Sequence, residues 1–442
     1  MRARDTICAL ASGPPPSAIA VIRISGPAVT DIAGKLLASG LPDARRAALT
    51  YIYDETGAPI DQGIALYAKG PASYTGEDTL ELYLHGGRAV VDHALRVLTA
   101  LPGVRLAEPG EFTRRAFEAG KLDLAQAEGI ADLIEAETDG QKAQALRQVS
   151  GGLSATYASW RDDLTGLLAL VEVMVDFPDE GDVSPEASAP LRDKLSALIA
   201  EIDTALGDGG IGERIREGFR VAILGAPNAG KSTLLNRLAG REAAIVTATP
   251  GTTRDVIEIR RTLGGQVVWF ADTAGLRETS DEIEAEGVRR AIRTAAEADL
   301  VIHLIDGSAP PEPPPPLPFG AEILTVLSKS DLSAPAAACA DHIISALTGE
   351  GLAALEADIA ARITARAAAV EAPVITRLRH RERLLQGRAA LASALATLEA
   401  GDGFELVAED LRLAARHLSA LLGRVDVEDV LGAVFSAFCI GK

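Results

Sequence analysis

The stretch VAILGAPNAGKSTLLNRLAG, residues 221–240, decides the fold of the central part of the chain. Four apolar residues predict a buried strand, residues 225–232 have the spacing G-x-x-x-x-G-K-S, and TLLNRLAG predicts a helix. In this setting glycine lets backbone N–H groups converge on phosphate oxygens, Lys231 reaches the outer phosphates, and Ser232 offers a hydroxyl to magnesium. The stretch predicts a nucleotide-binding loop, because a chance glycine-rich turn would lack the flanking strand and helix.

Short strands and helices alternate around this loop, which is typical of a doubly wound, mainly parallel sheet. The strand candidates are VAIL, VVWFAD, VIHLID and ILTVLSKSD. Residues 217–373 are therefore predicted to form one α/β domain. The proline-rich stretch PPEPPPPLP, residues 310–318, is interpreted as an exposed loop or, alternatively, as a ligand for a proline-reading partner.

The remaining chain divides into an N-terminal block and two helical segments. Residues 1–118 alternate β-like runs such as AIAVIRIS and TLELYLHGG with helical stretches, which predicts an α+β domain. Residues 119–216 and 374–442 have long helical periodicity, and we expect them to pack together. The nucleotide domain is thus predicted to be inserted into a discontinuous helical domain.

The composition limits the function classes. The chain has 442 residues, with 43 Lys and Arg against 62 Asp and Glu, which gives a formal net charge of -19. This balance argues against a protein that coats nucleic acid without specificity, although a local basic patch can read a shaped RNA. The three cysteines, Cys8, Cys339 and Cys439, lie far apart, which favours a reducing compartment over a disulfide framework. With no signal-peptide core and no run of about 18 apolar residues, we expect a soluble cytoplasmic protein that does not enter a membrane.

The motif DTAG, residues 272–275, ends one of the predicted strands. This position lets Asp272 hold the metal through water and places the Gly275 N–H near the terminal phosphate. The phosphate loop alone does not choose between ATP and GTP, and this motif is one of the further elements that do so by their order in the chain.

Two further motifs distinguish guanine from adenine. SKSD, residues 328–331, ends a strand, and Asp331 can accept hydrogen bonds from guanine N–H groups that adenine does not supply. SAL, residues 345–347, follows another strand and can give a backbone N–H to the guanine oxygen. The order of these motifs predicts GTP. Ser328 stands where GTPases usually have Asn, and the effect of this shorter side chain on guanine affinity is left open.

Hydrolysis requires a group that orients water and a charge that stabilises the transferring phosphate. Leu276 follows DTAG at the position where many GTPases have Gln, and no arginine finger is evident. The hydroxyl-rich loop TATPGTTRD, residues 247–255, and Asn228 offer hard oxygen donors that can hold a monovalent cation, and Thr253 is a second candidate magnesium ligand. An interpretation of equal weight is that Asn228 caps the phosphate loop and the threonines form turns.

Motifs from one end of the chain to the other resemble the MnmE (TrmE) family of tRNA modification GTPases, within the TrmE-Era-EngA-like superfamily. They are GAPNAGKST, TATPGTTRD, DTAGLRETSDEIEAEG and the final CIGK, together with RISG at 23–26, YTGEDTLELYLHGG at 74–87 and PGEFTRRAFEAGKLDLAQAEGIADLI at 109–134.

The resemblance implies an N-terminal domain that binds folate and dimerises, a helical domain built from two segments, and an inserted GTPase domain. It implies a homodimer that works with a flavin-dependent partner, MnmG (GidA), in a heterotetramer. The pair adds an aminomethyl-type group, such as carboxymethylaminomethyl, to carbon 5 of the wobble uridine of certain tRNAs. A 5-formyl or methylene derivative of tetrahydrofolate supplies the one-carbon unit, and potassium-dependent GTP hydrolysis brings the GTPase domains together.

The resemblance also implies roles for individual residues. Glu284 helps to orient the attacking water, and Cys439 serves the modification chemistry near the folate. Magnesium is bound by Ser232 and Thr253, and potassium by Asn228, Thr247, Thr249 and Thr252. The folate contacts are Arg23, Glu81, Lys121 and Lys442. The residues predicted to surround the nucleotide and its ions are Asn228, Ala229, Gly230, Lys231, Ser232, Thr233, Thr247, Ala248, Thr249, Pro250, Gly251, Thr252, Thr253, Asp272, Thr273, Ala274, Gly275, Ser328, Lys329, Asp331, Ser345, Ala346 and Leu347.

Without the resemblance, the folate and cysteine positions have simpler interpretations. Arg23 reads as a snorkelling surface residue, and Glu81 and Lys121 read as ordinary surface charges. Cys439, in the apolar run VLGAVFSAFC, reads as a small core residue.

Two basic clusters, RLRHRER at 377–383 and Arg114-Arg115, are candidate tRNA contacts or else solvated helix faces. The leading functional hypothesis is a GTP hydrolase that acts in tRNA modification. One alternative is a GTP-switched RNA or ribosome assembly factor without modification activity, and another is a nucleotide-dependent scaffold with negligible turnover.

Overall fold

The computed structural model describes residues 5–176, 185–207, 210–240, 244–246, 258–272, 293–309, 322–332, 340–368, 375–401, 403–423, 425 and 428–441. The chain divides into two compact units. The first unit comprises Met1–Ile134, Leu146–Ile199 and Gln386–Lys442, and the second comprises Glu135–Ala145 and Ala200–Leu385. The finer domain division given by the sequence, with limits after residues 118, 216 and 373, stays a prediction.

A six-stranded sheet forms the N-terminal part of the first unit. Its strands lie in the order β3-β4-β5-β2-β1-β6, and all neighbours are antiparallel except β1 and β6. Buried and less buried residues alternate along β5, because successive side chains point to opposite faces, and apolar side chains of the sheet pack against α1 and α2. The elements are β1 (Thr6–Leu10), β2 (Ser17–Ser25), α1 (Val29–Leu36), β3 (Ala47–Tyr53), β4 (Pro59–Ala68), β5 (Thr79–Gly86), α2 (Arg88–Ala100) and β6 (Val104–Leu106).

Helices from two distant parts of the sequence pack together in the first unit. Buried apolar residues recur every three or four positions along α6 and along α12, and these two helices pack against each other. The Arg412 guanidinium on α12 lies 3.2 Å from the Glu172 carboxylate on α6. The prediction of a discontinuous helical domain is confirmed. The helices of these segments are α3 (Glu111–Glu118), α4 (Leu124–Glu135), α5 (Asp139–Val149), α6 (Gly152–Asp176), α7 (Pro185–Leu206), α11 (Leu378–Ala400), α12 (Phe404–Leu421) and α13 (Glu428–Ser436).

None of the helices in the described ranges combines the length and the apolar character that crossing a membrane requires.

A buried ion-pair network joins β6 to the start of α3. The Glu111 carboxylate accepts hydrogen bonds from Arg105 (2.6 and 2.8 Å), from Arg115 (2.9 Å) and from the Glu108 N–H (3.0 Å). Arg115 also donates to the Glu77 carboxylate at 2.9 Å. Burial alone would raise the pKa of Glu111, but the hydrogen bonds from Arg105, Glu108 and Arg115 outweigh it and hold the pKa at about 2. Glu111 therefore stabilises the fold as a carboxylate.

Glu111→Gln is expected to destabilise the first unit by on the order of 3 kcal/mol at pH 7. Because the pKa of Glu111 falls from 4.5 to about 2 on folding, this contribution is present above pH 4.5 and is lost as the pH falls toward 2. Urea unfolding, followed by the fluorescence of Trp160 in a Trp269→Phe background, measures it at pH 7 and pH 4. The exposed control Glu55→Gln should change little. A stability difference independent of pH would contradict the assignment.

A seven-stranded sheet forms the core of the second unit. Its strands lie in the order β13-β12-β11-β7-β10-β9-β8. Strands β13, β12, β11, β7 and β10 run parallel, and β9 and β8 are antiparallel to their neighbours. The central strands β7 and β11 are almost wholly apolar because both of their faces are buried. The predicted doubly wound, mainly parallel sheet is confirmed. Its elements are α8 (Ile211–Glu217), β7 (Phe219–Leu224), α9 (Lys231–Ala239), β8 (Ala244–Val246), β9 (Glu258–Leu263), β10 (Gln266–Asp272), β11 (Leu300–Asp306), β12 (Glu322–Ser328), β13 (His342–Ile343) and α10 (Leu352–Ala368).

Candidate functional site

The phosphate loop, residues 225–230, connects the end of β7 to the start of α9. Gly225 passes so close to β11 that a Cβ here would overlap the carbonyl oxygen of Leu304. Asn228 and Gly230 have positive φ angles of 64° and 96°, a conformation that Gly and Asn adopt more readily than other residues. The loop therefore turns tightly onto the N-terminus of α9, where backbone N–H groups and the helix dipole favour an anion.

Lys231 is held inside this loop. Its side chain is buried, and Nζ donates hydrogen bonds to the carbonyl oxygens of Gly225 (2.7 Å) and Ala226 (2.8 Å). Ser232 and Thr233 follow on the first turn of α9, and both are exposed. The structure thus brings the six predicted residues from Asn228 to Thr233 together at one loop and helix terminus.

Ser328, the residue that departs from the usual Asn, links the base-binding side of the site to the phosphate loop. It is 3% exposed at the end of β12, and its Oγ lies 2.7 Å from the Ala229 carbonyl oxygen and 3.1 Å from that of Ile305. A hydroxyl has one proton to donate, so the shorter contact to Ala229 is the stronger hydrogen bond. The small side chain thereby fixes β12 against the phosphate loop.

Asp331 and Ser345 join the two predicted guanine-binding loops. The Ser345 hydroxyl donates to Asp331 Oδ1 at 2.6 Å and accepts a hydrogen bond from the Thr348 N–H at 3.1 Å. The Ser330 N–H donates to the carbonyl oxygen of Ile344 at 3.1 Å. These bonds place the Asp331 carboxylate beside the backbone of residues 345–347, as recognition of one base by both loops requires.

Lys329 ties the same loop to the end of β11. Its Nζ lies 2.7 Å from Asp306 Oδ2, and the Ser308 hydroxyl and N–H also donate to this carboxylate. The hydrogen bond from Lys329, followed by those from Ser308, lowers the pKa of Asp306 to about 2. The carboxylate is therefore ionised at neutral pH and holds the lysine at the edge of the site.

Arg237, on α9, also contacts the base-binding side, and sequence reasoning missed it. Its guanidinium donates to the carbonyl oxygens of Ala346 (2.9 Å) and Leu347 (2.8 Å). The sequence signal is weak, because a basic residue in the last turn of a helix ordinarily interacts with the helix dipole.

The rest of the predicted nucleotide site is only partly described. Asp272 ends β10 and pairs with Ile223 of β7, which places its backbone beside the strand that leads into the phosphate loop. The predicted residues that lie outside the described ranges are Thr247, Ala248, Thr249, Pro250, Gly251, Thr252, Thr253, Thr273, Ala274, Gly275, Glu284 and Lys442.

In the first unit, two of the predicted folate contacts are paired with each other. Arg23 on β2 lies opposite Glu81 on β5, and its Nε donates to Glu81 Oε1 at 2.8 Å, with 17% of each side chain exposed. The guanidinium lies 5.4 Å from the ring centre of Tyr74 and 5.7 Å from that of Phe112. The interpretation of Arg23 as a snorkelling surface residue is wrong, because the register of two strands buries it in an ion pair.

Tyr83 completes this pair from the same strand as Glu81. Its hydroxyl donates to Glu81 Oε2 at 2.7 Å. The hydrogen bond to this carboxylate, together with burial, raises the pKa of Tyr83 to about 12. Tyr83 therefore stays protonated and holds the second oxygen of Glu81, a role that sequence reasoning did not identify.

The C-terminal tail lies against the same sheet. A Cβ at Gly441 would overlap the carbonyl oxygen of Leu10, and the Gly441 carbonyl oxygen accepts a hydrogen bond of 3.4 Å from Arg23. Phe438 packs on Phe435 just before the tail, with ring centres 5.9 Å apart. Cys439 is exposed, so its interpretation as a small core residue is wrong.

Lys121 reaches the loop formed by residues 70–77. Its Nζ donates to the carbonyl oxygen of Pro71 at 2.6 Å, and this loop also carries Tyr74, whose ring faces Arg23. Lys121 itself is exposed. Lys121 therefore contacts the same loop whose Tyr74 ring lies beside Arg23. These contacts do not by themselves assign a ligand to Lys121.

Only one of the two arginines in the candidate tRNA contact Arg114-Arg115 is exposed to solvent. Arg114 is exposed and pairs with Glu118 at 3.1 Å, whereas Arg115 is 5% exposed within the Glu111 network. Arg115 is therefore a structural residue. In the cluster at residues 377–383, Arg381 pairs with Glu213 at 3.4 Å.

A mainly parallel sheet, a phosphate loop at the end of its central strand, and the predicted guanine-binding loops at the ends of β12 and β13 are typical of a P-loop nucleotide-binding protein of the GTPase class. The family model described as "GTP-binding protein TrmE N-terminus" matches residues 6–121, and the one described as "MnmE helical domain" matches residues 124–439. The chain belongs to the MnmE family of tRNA modification GTPases, and it is a GTP hydrolase.

Named relatives match over their whole length. The chain is 67% identical to the tRNA modification GTPase MnmE of Hyphomonas neptunium, with 100% of both chains covered. It is 52% identical to the protein of the same name from Phenylobacterium zucineum and 51% identical to that from Caulobacter vibrioides, with 99% of this chain and 100% of each relative covered. GTP and magnesium binding follow from membership of this family.

Ser328→Ala is expected to weaken guanine-nucleotide binding about fivefold, because the buried Ala229 carbonyl loses a hydrogen bond of about 1 kcal/mol that aligns the two loops. Calorimetric titration with GDP and magnesium measures the affinity. Thr364→Ala, which removes an exposed hydroxyl bonded to the Gly264 carbonyl, is the matched control. An unchanged affinity in Ser328→Ala would show that the link does not align the site.

Proposed function

We propose that this chain is a potassium-activated GTPase that modifies tRNA together with a flavin-dependent partner of the MnmG (GidA) type. The product carries an aminomethyl-type group, such as carboxymethylaminomethyl, on carbon 5 of the wobble uridine, and a tetrahydrofolate derivative supplies the one-carbon unit. The protein acts as a cytoplasmic homodimer within a heterotetramer. The observation that carries the proposal is 67% identity over the full length of the Hyphomonas neptunium protein.

The residues of the phosphate loop supply binding and electrostatic stabilisation. Lys231 exchanges its two carbonyl partners for the outer phosphate oxygens of GTP, which costs little because its ammonium is already held in the loop. Ser232 and Thr253 would hold magnesium directly and Asp272 through water, and the metal neutralises charge on the phosphates. GTP hydrolysis brings the GTPase domains of the homodimer together and drives the conformational change.

The proposed potassium site depends on Asn228. This residue is exposed on the phosphate loop, so its side-chain oxygen is accessible to a hard cation. Thr247, Thr249 and Thr252 would complete the ligand set, and the cation supplies the positive charge that an arginine finger gives in other GTPases. Glu284 orients the attacking water in place of the missing glutamine.

GTP turnover is expected to be at least about tenfold faster in potassium than in sodium at equal ionic strength, because the proposed potassium ion stabilises the charge on the transferring phosphate. Asn228→Gly should abolish the difference and keep nucleotide affinity, since glycine accepts the positive φ of 64° and removes only the amide. Phosphate release measures turnover, and Asn236→Ala on α9 is the control. A retained potassium response in Asn228→Gly would favour the interpretation that Asn228 only caps the loop.

The first unit supplies the proposed folate site. Arg23, held between Glu81 and two aromatic rings, suits an anionic ligand with a flat ring system. Glu81, already oriented by Tyr83, suits the N–H groups of a pterin. Lys121 and Lys442 complete the proposed contacts, and the attachment of the tail at Gly441 places Cys439 two residues from the Arg23 contact.

Cys439→Ser is expected to abolish modification of the wobble uridine and to leave GTP turnover within about twofold, because an exposed thiol contributes little to stability. Mass analysis of tRNA nucleosides, in cells that carry the variant as their only copy, measures the modification. Ile440→Ala, the exposed neighbour, should retain it. Full modification in cells that carry Cys439→Ser would refute this role. Wobble uridines that stay fully modified even in cells without the protein would favour the assembly-factor alternative.

A further inference from the structure

Arg237 connects the helix of the phosphate loop to the loop that faces the base. It lies on α9, six residues after Lys231, and its guanidinium bonds two successive carbonyl oxygens, those of Ala346 (2.9 Å) and Leu347 (2.8 Å). Arginine is suited to this contact, because its planar group offers several N–H donors in a fixed geometry.

These two bonds fix the backbone of the loop through the planarity of the peptide unit. The carbonyl of Ala346 shares a plane with the N–H of Leu347, and the carbonyl of Leu347 shares one with the N–H of Thr348. The preceding plane, which carries the Ser345 carbonyl and the Ala346 N–H, is held by the Gly349 N–H at 2.8 Å. Three consecutive peptide planes are therefore oriented, and Arg237 holds two of them.

The loop depends on this external support. Leu347 is 74% exposed, so its side chain adds little packing that would hold the backbone in place. Ser345 anchors the beginning of the loop through Asp331, and its hydroxyl also accepts the Thr348 N–H at 3.1 Å. Arg237 is the side chain that bonds the peptide plane between Ala346 and Leu347, and it adds a second bond to the plane that follows.

We propose that Arg237 is a positioning residue for guanine selection. It fixes this backbone so that the N–H groups of Ala346 and Leu347 are directed at the O6 oxygen of the base, while the Asp331 carboxylate accepts hydrogen bonds from the N–H groups of guanine. This inference rests on the proposed function as a GTPase and extends it to a residue that touches no substrate. If Arg237 only stabilised α9, through its positive charge near the C-terminal end of the helix, its loss would weaken the binding of all three nucleotides equally.

The test compares the affinities of three imidotriphosphates, those of guanosine, inosine and adenosine, in the presence of magnesium. Guanine and hypoxanthine both present O6, whereas adenine does not. Arg237→Met, which keeps the apolar stem and removes the donors, should weaken guanosine and inosine binding by the same factor of about ten and leave adenosine binding unchanged. Arg237→Lys should recover part of the loss, since an ammonium can reach one carbonyl.

The control is Arg366→Met, which removes a similar bond of 2.7 Å from a guanidinium to the Asp299 carbonyl, at the start of β11. It should leave all three affinities unchanged. Equal losses for the three nucleotides in Arg237→Met, a changed guanosine-to-inosine ratio, or no loss would each overturn the proposal. If the unsubstituted protein itself binds guanosine and adenosine nucleotides equally, the guanine assignment fails first, and the role of Arg237 fails with it.

Discussion

Parallel hydrogen bonding between β7 and its two neighbours is the constraint on which the nucleotide site depends. The register pairs Leu224 with His303 of β11 and Ile223 with Asp272 of β10, so that the three strands end at the same edge of the sheet. The connection after β7 leads to β8 on one side of the sheet, whereas the connection after β10 leads to β11 on the other side of β7. Such a change of direction leaves a crevice at the carboxyl ends of the strands. Gly225 enters that crevice against the Leu304 carbonyl, where any side chain would collide. The position of the phosphate loop is therefore set by sheet register before any nucleotide contact is made.

The edge of this sheet is held by short polar links rather than by apolar packing. Ser328 reaches the phosphate loop, Lys329 reaches Asp306, and Asp331 reaches Ser345, so these three residues of the SKSD motif each have a separate partner. A buried hydroxyl bonded to a carbonyl stabilises modestly, but removal of one partner leaves the other desolvated and unpaired. Ser328 therefore holds β12 to the phosphate loop with a single short donor, its hydroxyl.

Sequence patterns predicted the elements that carry strong local signals. The apolar runs VAIL, VVWFAD and VIHLID lie in strands, the run ILTVLSKSD lies in β12 as far as Ser328, and the phosphate loop follows the predicted strand directly. Sequence patterns could not predict that Arg23 and Glu81 form an ion pair with each other. The pairing requires the antiparallel register of β2 and β5, which brings together residues 58 positions apart. Arg237 was missed for the same reason, since its partners are more than a hundred residues away along the chain. Arg115 was misjudged because a basic dipeptide gives no indication that one of its members is buried against two carboxylates.

Two ion-pair clusters in the first unit illustrate how burial separates structural charge from charge available to a ligand. In the Glu111 network every oxygen of the carboxylate is bonded to a guanidinium or a backbone N–H, and Arg115 is 5% exposed, so little room is left for a further partner. The Arg23–Glu81 pair has 17% of each side chain exposed, aromatic rings beside the guanidinium, and the end of the chain attached to it by a hydrogen bond of 3.4 Å. A partly buried ion pair contributes little net stability, because desolvation offsets most of the attraction between the charges. The exposed fraction, the aromatic rings beside the guanidinium and the adjacent tail are the features on which the proposed folate site rests.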